Sequence, residues 1–576
     1  MPSARLQCLV MAFAIAAVLI AARLVQLQIV DGGELAARAV RQGMYVETIP
    51  ARPGDVVDRH GRLLAVTVLA PSLYVVPNRI DEPDAIADRL ADVLGLDAGR
   101  LANALRRERE KSFLWIRRRM TEEQATAVRA LSLPRDAWGF RDEYLRRYPQ
   151  GAFAAHLIGL RDIDNVGHGG VEERFDEALR GQAGRRVIRR DARGRAIDVR
   201  EEVTTPPTPG RTLVLTIDSV VQLFAEQALD ELMARHAPNG SCAIVMNVKS
   251  SEVLAMASRP AFDPNDPDAA AGDVWSNRAV TAVYEPGSTF KPLVVAWAID
   301  AGMLQTDEVI DCEGGMYRSG GRVLHDHHGY GELSVTDVLV KSSNIGMAKI
   351  GERLETAGLH GCVTAFGFGR PTGIELPGER AGVVRPLDRW NAYSIGSVPM
   401  GHEIAVTPLQ LATAHAALAN GGRLLSPRVV LRDVDPVLAD SAATAAAATP
   451  QVTSRVVGEP AADWVITEPM VEVVRRGTGR AAALDGYTVF GKTGTAQKFD
   501  QEAGAFSHDR HVVSFIAGAP ADDPRVIVLV MADEPTGSEQ SGGAVAAPAV
   551  ASILRRTLRH FGVPGSSPDE LAKRDL

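Results

Sequence analysis

Apolar residues dominate the start of the chain, where MPSARLQCLVMAFAIAAVLIAARLVQLQIVDGG is apolar from Leu6 to Ala22 and runs on to about Val30 if Arg23 carries its guanidinium to an interface. That length predicts one membrane-spanning helix. Further along, the apolar run from Leu293 to Ile299 predicts a buried helix, with Pro286 and Gly287 making the turn before it and Pro292 in its first turn, where no backbone donor is needed. In VTDVLVKSSNIGMAKIG two helical periods are interrupted by Ser342-Ser343-Asn344, which predicts a loop between helices. Near the end, GYTVFGKTGTAQK, HVVSFIAGAP and VIVLVMAD are rich in β-formers and separated by short turns, as in an antiparallel meander.

A cleaved signal peptide is the alternative to an uncleaved anchor, but the Ala-x-Ala steps fall inside the apolar run and not at its polar end. A lipoprotein is disfavoured because Cys8 precedes most of the apolar segment. Charge does not settle orientation, since Arg5 stands opposite Arg23, Arg38 and Arg41, yet long domains after a first helix translocate largely regardless of charge. The bulk of the protein is therefore expected outside the cytoplasm, where ATP is scarce.

The chain of 576 residues, 46% hydrophobic and 23% charged, has no second apolar stretch of spanning length and has room for several globular domains on one anchor. A net charge of -8 gives nucleic acid no general attraction. The arginine clusters at 117–119 and 185–195 read as solvated faces or protein contacts. Four cysteines are too few for a disulfide scaffold; whether Cys312 and Cys362 pair is left open.

Only eight lysines stand among the 63 basic residues, so a lysine in a motif is a candidate for what arginine cannot do, namely lose its proton. Of the eight, only Lys291 has a serine three residues earlier, Ser288. At i and i+3 on one helical face, a neutral amine can take the hydroxyl proton while the helix N-terminus favours the negative charge that results. The plainer reading of this pair is a capping serine beside a chance lysine. Ser342 and Asn344, two residues apart, can point the same way, one relaying a proton and the other binding an amide, although Ser-Ser-Asn is also ordinary capping chemistry.

GYTVFGKT at 486–493 fits the phosphate-binding pattern G-x-x-x-x-G-K-[ST], and VIVLVMADE could pass for its acidic strand. Such a loop needs small, flexible residues and a helix beginning at the Lys-Thr. Here the middle residues are Tyr487, Thr488, Val489 and Phe490, and TGTAQKFD after Lys492 has no helical period. The segment reads instead as a strand carrying Lys492, Thr493 and Gly494.

Ser288-Thr289-Phe290-Lys291, Ser342-Ser343-Asn344 and Lys492-Thr493-Gly494, in that order, resemble the three motifs of the penicillin-recognising serine enzymes. RPGDVVDRHGRLLA at 52–65, YPQGAFAAHLIGL at 148–160, GGVEERFDEALRG at 169–181 and LVLTIDSVVQ at 213–222 resemble the N-terminal module of class B penicillin-binding proteins. VTPLQLATAHAALANGG at 406–422 and GGAVAAPAV at 542–550 resemble the transpeptidase domain of the same family. The Ser-x-Asn form and the EPGSTFKP context are most like the division-specific branch.

The resemblance implies an α/β (α+β) transpeptidase fold with a five-stranded, mainly antiparallel sheet between helices, behind a membrane helix and an elongated pedestal. The expected boundaries are a stub over 1–5, an anchor over 6–30, the pedestal over 31–205, the transpeptidase domain over 206–564 and a disordered tail over 565–576, with a mobile Ala/Thr/Pro-rich loop at 440–453. It also implies peptidoglycan D,D-transpeptidation without a cofactor: Ser288 as nucleophile, Lys291 as its base, Ser342 passing protons, Asn344 holding the substrate amide and Lys492 tuning the field. Thr493, Gly494 and Thr495 would bind substrate, and the N–H groups of Ser288 and Thr495 would form the oxyanion hole. Implied partners are D-alanyl-D-alanine stem peptides, beta-lactams, a polytopic septal glycosyltransferase and other division proteins. A beta-lactamase or sensor and a silent scaffold remain rival functions, as do the elongation and spore branches. HDHHGYGE at 325–332 lacks the usual ligand spacing for a metal and reads as a loop near the cleft, while His402 and Glu403 stand where many relatives have small or aromatic residues.

Overall fold

The structure, a computed structural model, describes residues 2–35, 38, 44–134, 136–190, 196–269, 272–434, 452–500, 505–537 and 539–565. Two compact units emerge: Met1–Pro53 with Arg180–Gly210, and Gly54–Leu179 with Arg211–Leu576. Most of the Ala/Thr/Pro-rich segment at 440–453, and the tail from Ser566, lie outside the described residues.

In the first unit the apolar run is helical over Pro2–Val25 and continues as a π-helical turn over Gln26–Val30. Leu6–Val30 is long and apolar enough to cross a membrane, and none of it is buried against protein. Arg23 donates to Gln26 Oε1 at 2.7 Å, which satisfies one of its five donors locally. The strands Met44–Ile49, Gly184–Arg190 and Ala196–Thr205 form an antiparallel sheet with Gly184–Arg190 in the middle.

The second unit holds two larger sheets. One runs in the order Val430–Val434, Thr212–Leu215, Val56–Val57, Leu63–Val75 and Leu114–Arg117, with Trp138–Arg147 also paired to Leu63–Val75. Strands distant in sequence thus share one sheet, and the pairing of Val56–Val57 with Leu213–Val214 is parallel. Within the 117–119 cluster, Arg118 is a protein contact, paired with Glu143 and Asp164.

The other sheet is five-stranded and antiparallel throughout. Its strands are β1 (Gly240–Asn247), β2 (Val253–Arg259), β3 (Phe490–Asp500), β4 (Ala505–Ala519) and β5 (Val526–Asp533), in the order β2-β1-β5-β4-β3. The segment read as an antiparallel meander is β3-β4-β5. Both faces of the sheet are covered, which explains runs as apolar as VIVLVMAD. Ile527, Leu529 and Met531 enter one core, while Val528, Val530 and Ala532 enter the other beside helices α1 (Ser219–His236) and α6 (Ala547–His560).

On the first face lie α2 (Lys291–Asp300), α3 (Val335–Val340), α4 (Asn344–Ala365) and α5 (Pro408–Ala419). Every residue of α5 is buried, and Thr407 and Gln410 close its N-terminus in a reciprocal capping box. At the start of α1, Asp218 caps Val220 and Val221 through Oδ1, while its Oδ2 accepts from His60 Nε2 at 3.1 Å and His560 Nε2 at 3.0 Å. Burial opposes its charge, but His560 and His60 hold the carboxyl below the usual range.

Candidate active site

Pro286 and Gly287 lead into a 3-10 turn, Gly287–Phe290, which passes directly into α2. Ser288 sits on this turn, half-buried, and its hydroxyl makes no hydrogen bond among the described residues. Gly287 has a φ of 55°, and a Cβ there would lie 2.9 Å from Thr495 O on β3. The left-handed backbone and the close approach each favour glycine. The turn is therefore pressed against the edge strand that carries the third motif.

Lys291, one turn after Ser288, is fully buried. Its Nζ donates to the Ser342 carbonyl at 2.6 Å and to Asn344 Oδ1 at 2.9 Å, with Ser342 Oγ and the Ser343 carbonyl each at 3.3 Å. Two N–H groups suffice for the two short bonds, so an uncharged amine can make them and keep its lone pair for a proton. Burial, only partly opposed by Asp326, pulls the amine down to about 7.

Ser342 adopts a φ of 58° between α3 and α4, a left-handed conformation that a serine holds only where its surroundings enforce it. Ser343 caps α4 by accepting from Gly346 N at 2.9 Å. Asp326, which follows the strand Arg322–His325, supplies the enforcement. Its carboxylate accepts from Ser343 Oγ at 2.6 Å, Asn344 N at 2.5 Å and Ile345 N at 3.2 Å, while Asn344 Nδ2 donates to His325 O at 3.2 Å. The histidine-rich loop thus contributes a carboxylate to the second motif. Among the described residues, no group of three or more His, Cys, Asp or Glu side chains is arranged to hold a metal ion.

Lys492 lies on β3, with no helix following it, and is fully buried. Its Nζ is 3.0 Å from Ser342 Oγ, so one hydroxyl stands between two amines. Burial first, and then the neighbouring Lys291, push Lys492 well below an ordinary lysine. Gly494 faces the turn of Ser288, where a Cβ would fall 2.6 Å from Ser514 Oγ and 2.9 Å from Pro286 O. Thr493 is buried with its hydroxyl 2.9 Å from Thr478 Oγ1, whereas Thr495 is exposed and accepts from Gly542 N at 3.3 Å.

Of the residues singled out from sequence, Lys291, Ser342, Asn344 and Lys492 are joined by direct hydrogen bonds. Gly494 and the main chain of Thr495 pack on the turn that carries Ser288. His402 and Glu403 flank that turn: Glu285 accepts from His402 Nδ1 at 2.7 Å and from Glu403 N at 2.9 Å. Cys312 and Cys362 are buried free thiols. Sequence reasoning missed Asp326, whose position in a histidine-rich loop suggested only a metal or a plain loop.

A hydroxyl flanked by two amines whose charge burial disfavours, with a half-buried serine one helical turn before one of those amines, offers the groups that general-base chemistry on a serine requires. The family model for the penicillin binding protein transpeptidase domain matches residues 241–555, and that for the penicillin-binding protein dimerisation domain matches 48–215. The chain is 35% identical to Stage V sporulation protein D of Bacillus subtilis over 94% of this chain and 83% of that protein. It is 31% identical to peptidoglycan D,D-transpeptidase FtsI of Escherichia coli over 96% of this chain and 90% of that one. A crystal structure of penicillin binding protein 3 from Mycobacterium tuberculosis, complexed with aztreonam, superposes with a TM-score of 0.68 at 26% identity, covering 91% of this chain and 99% of that one. With the second and third motifs bonded through Ser342 to Lys291 and Lys492, the turn of Ser288 packed on the strand of Lys492 and both domain models matched, the chain belongs to the penicillin-binding protein family.

Proposed function

We propose that the protein is a serine-type peptidoglycan D,D-transpeptidase, anchored by residues 6–30, with 31–205 as its pedestal and 206–564 as a transpeptidase domain outside the membrane. The observation that carries this reading is the hydroxyl of Ser342, shared by Lys291 and Lys492 beside the turn of Ser288. Lys291 takes the Ser288 proton as Oγ attacks the penultimate D-alanine carbonyl of a stem peptide. The oxyanion is held by the N–H groups of Ser288 and Thr495. Ser342 hands a proton to the leaving nitrogen and free D-alanine departs, leaving an acyl-serine. Asn344 holds the substrate amide, Lys492 keeps the relay electropositive, and Thr493, Gly494 and Thr495 receive the terminal carboxylate. A second stem's amine then displaces Ser288, forming the crosslink. One peptide bond is exchanged for another, so no ATP is consumed.

Beta-lactams are expected to acylate the same serine. Full-length protein in detergent, wild type and Ser288→Ala, would be incubated with a fluorescent penicillin and the adduct mapped by mass spectrometry. A stable adduct on Ser288, absent from the variant, supports the reading. Rapid turnover of the drug would instead identify a beta-lactamase, and a folded protein without any adduct would point to a scaffold.

The motif context favours work at the division septum beside a polytopic glycan polymerase and other division proteins. The identity to Stage V sporulation protein D favours a second branch, wall synthesis in spores. Imaging a fluorescent fusion in dividing cells separates the two: a mid-cell band supports the first, and its absence with intact division supports the second.

A further inference from the structure

His415 is the one titratable side chain on the wholly buried helix α5. Its Nε2 lies 2.8 Å from the carbonyl oxygen of Thr289, the residue after the candidate nucleophile. A carbonyl can only accept, so Nε2 carries the proton and Nδ1 is a bare lone pair, buried and without a partner. The bond therefore fixes the tautomer.

The Thr289 carbonyl occupies a special place in the chain. It stands where the 3-10 turn Gly287–Phe290 becomes α2, which opens at Lys291. The residue three positions on is Pro292, which has no N–H to offer. The preceding carbonyl, of Ser288, is satisfied by Lys291 N. The Thr289 carbonyl is thus left without a 3-10 donor, between the candidate nucleophile and its base, in a region where an unmet acceptor is costly. The hydroxyl of Thr289 is already committed to Pro286 O at 2.6 Å.

We propose that His415 is a positioning residue for acylation: its Nε2–H holds the Thr289 carbonyl and so fixes the spacing of Ser288 and Lys291 in the turn just before Pro292. The imidazole touches neither substrate nor reacting atoms and acts only through the main chain. Burial, reinforced by nearby Lys492 and only partly opposed by the Thr289 carbonyl, pulls its titration down to about 4, so it stays neutral at working pH. The proposal rests on the reading of Ser288 as the nucleophile.

The test compares His415→Leu, which removes the donor at similar volume, with His415→Gln, whose amide can still donate. Full-length protein in detergent is mixed with a fluorescent penicillin in stopped flow, which resolves the acylation rate and the affinity of the initial non-covalent complex as two quantities. His415→Leu should bind the drug as wild type does and acylate about tenfold or more slowly, while His415→Gln should return to within about threefold. The proposal falls if folded His415→Leu acylates at the wild-type rate, or if His415→Gln is as slow as His415→Leu. Should His415→Leu fail to fold, His415→Gln decides alone: near-normal acylation upholds the proposal, and slow acylation or failure to fold overturns it. Failure of the wild type itself to acylate at Ser288 would sink the transpeptidase reading instead, so the two are distinguished.

Discussion

Lys291 Nζ and Lys492 Nζ approach the same atom, Ser342 Oγ, at 3.3 and 3.0 Å. Two ammonium groups cannot share a buried hydroxyl cheaply, and both amines are pulled down chiefly by burial. The proposed relay therefore requires at least one amine uncharged. Below about pH 7 Lys291 holds its proton and cannot take another. Acylation by a penicillin, followed in stopped flow from pH 5 to 9, should fall by about tenfold per pH unit on the acid side and level off above the limb. The same depression has a stability sign. An unfolded lysine keeps its proton up to about 10.5, so the cost of burying Lys291 is relieved as pH rises from about 7 towards that value.

Asp326→Asn should produce two opposed effects. The carboxylate raises Lys291 electrostatically, so its loss should move the acid limb to lower pH. It also holds Ser343 Oγ and the N–H groups of Asn344 and Ile345, so thermal unfolding should show a loss of about 1–3 kcal/mol. A limb shifted to acid in a less stable protein is the signature to look for.

Gly494→Ala should cripple the site without unfolding the protein. The added methyl would meet Ser514 Oγ and the Pro286 carbonyl and push β3 off the turn of Ser288, slowing acylation by about a hundredfold. Gly331→Ala, which meets nothing within 4 Å, is the control and should leave the rate unchanged.

Native protein should expose no thiol of the soluble part to a maleimide. Cys242, Cys312 and Cys362 are buried and unbridged, and burial raises all three thiols. Mass spectrometry should find these three labelled only after unfolding, and a reductant should leave the melting temperature unchanged.

Local patterns were readable where chemistry and period coincide. Pro286-Gly287 before an apolar run predicted the turn and helix of Ser288 and Lys291, and three β-rich runs predicted β3, β4 and β5. Lysine scarcity marked Lys291 and Lys492, which the fold buries completely. The contacts that hold these pieces were not readable, because they join residues with no shared period. Asp326 meets Ser343 from 17 residues away, and His415 meets Thr289 from 126 away. The parallel pairing of Val56–Val57 with Leu213–Val214 leaves no local trace either.

The sheet order also sets when the enzyme can exist during its own synthesis. β1 and β2 are made early, yet β1 pairs with β5, and β3 reaches the sheet only through β4 and β5. β5 is the keystone, and it ends at Asp533. A ribosome-bound chain stopped before Val526 has made Ser288, Ser342 and Lys492 but cannot bring them to one place. Such long-range closure is slow and leaves strand edges open meanwhile, so nascent protein depends on protection from aggregation and stays insensitive to penicillin until β5 has been made.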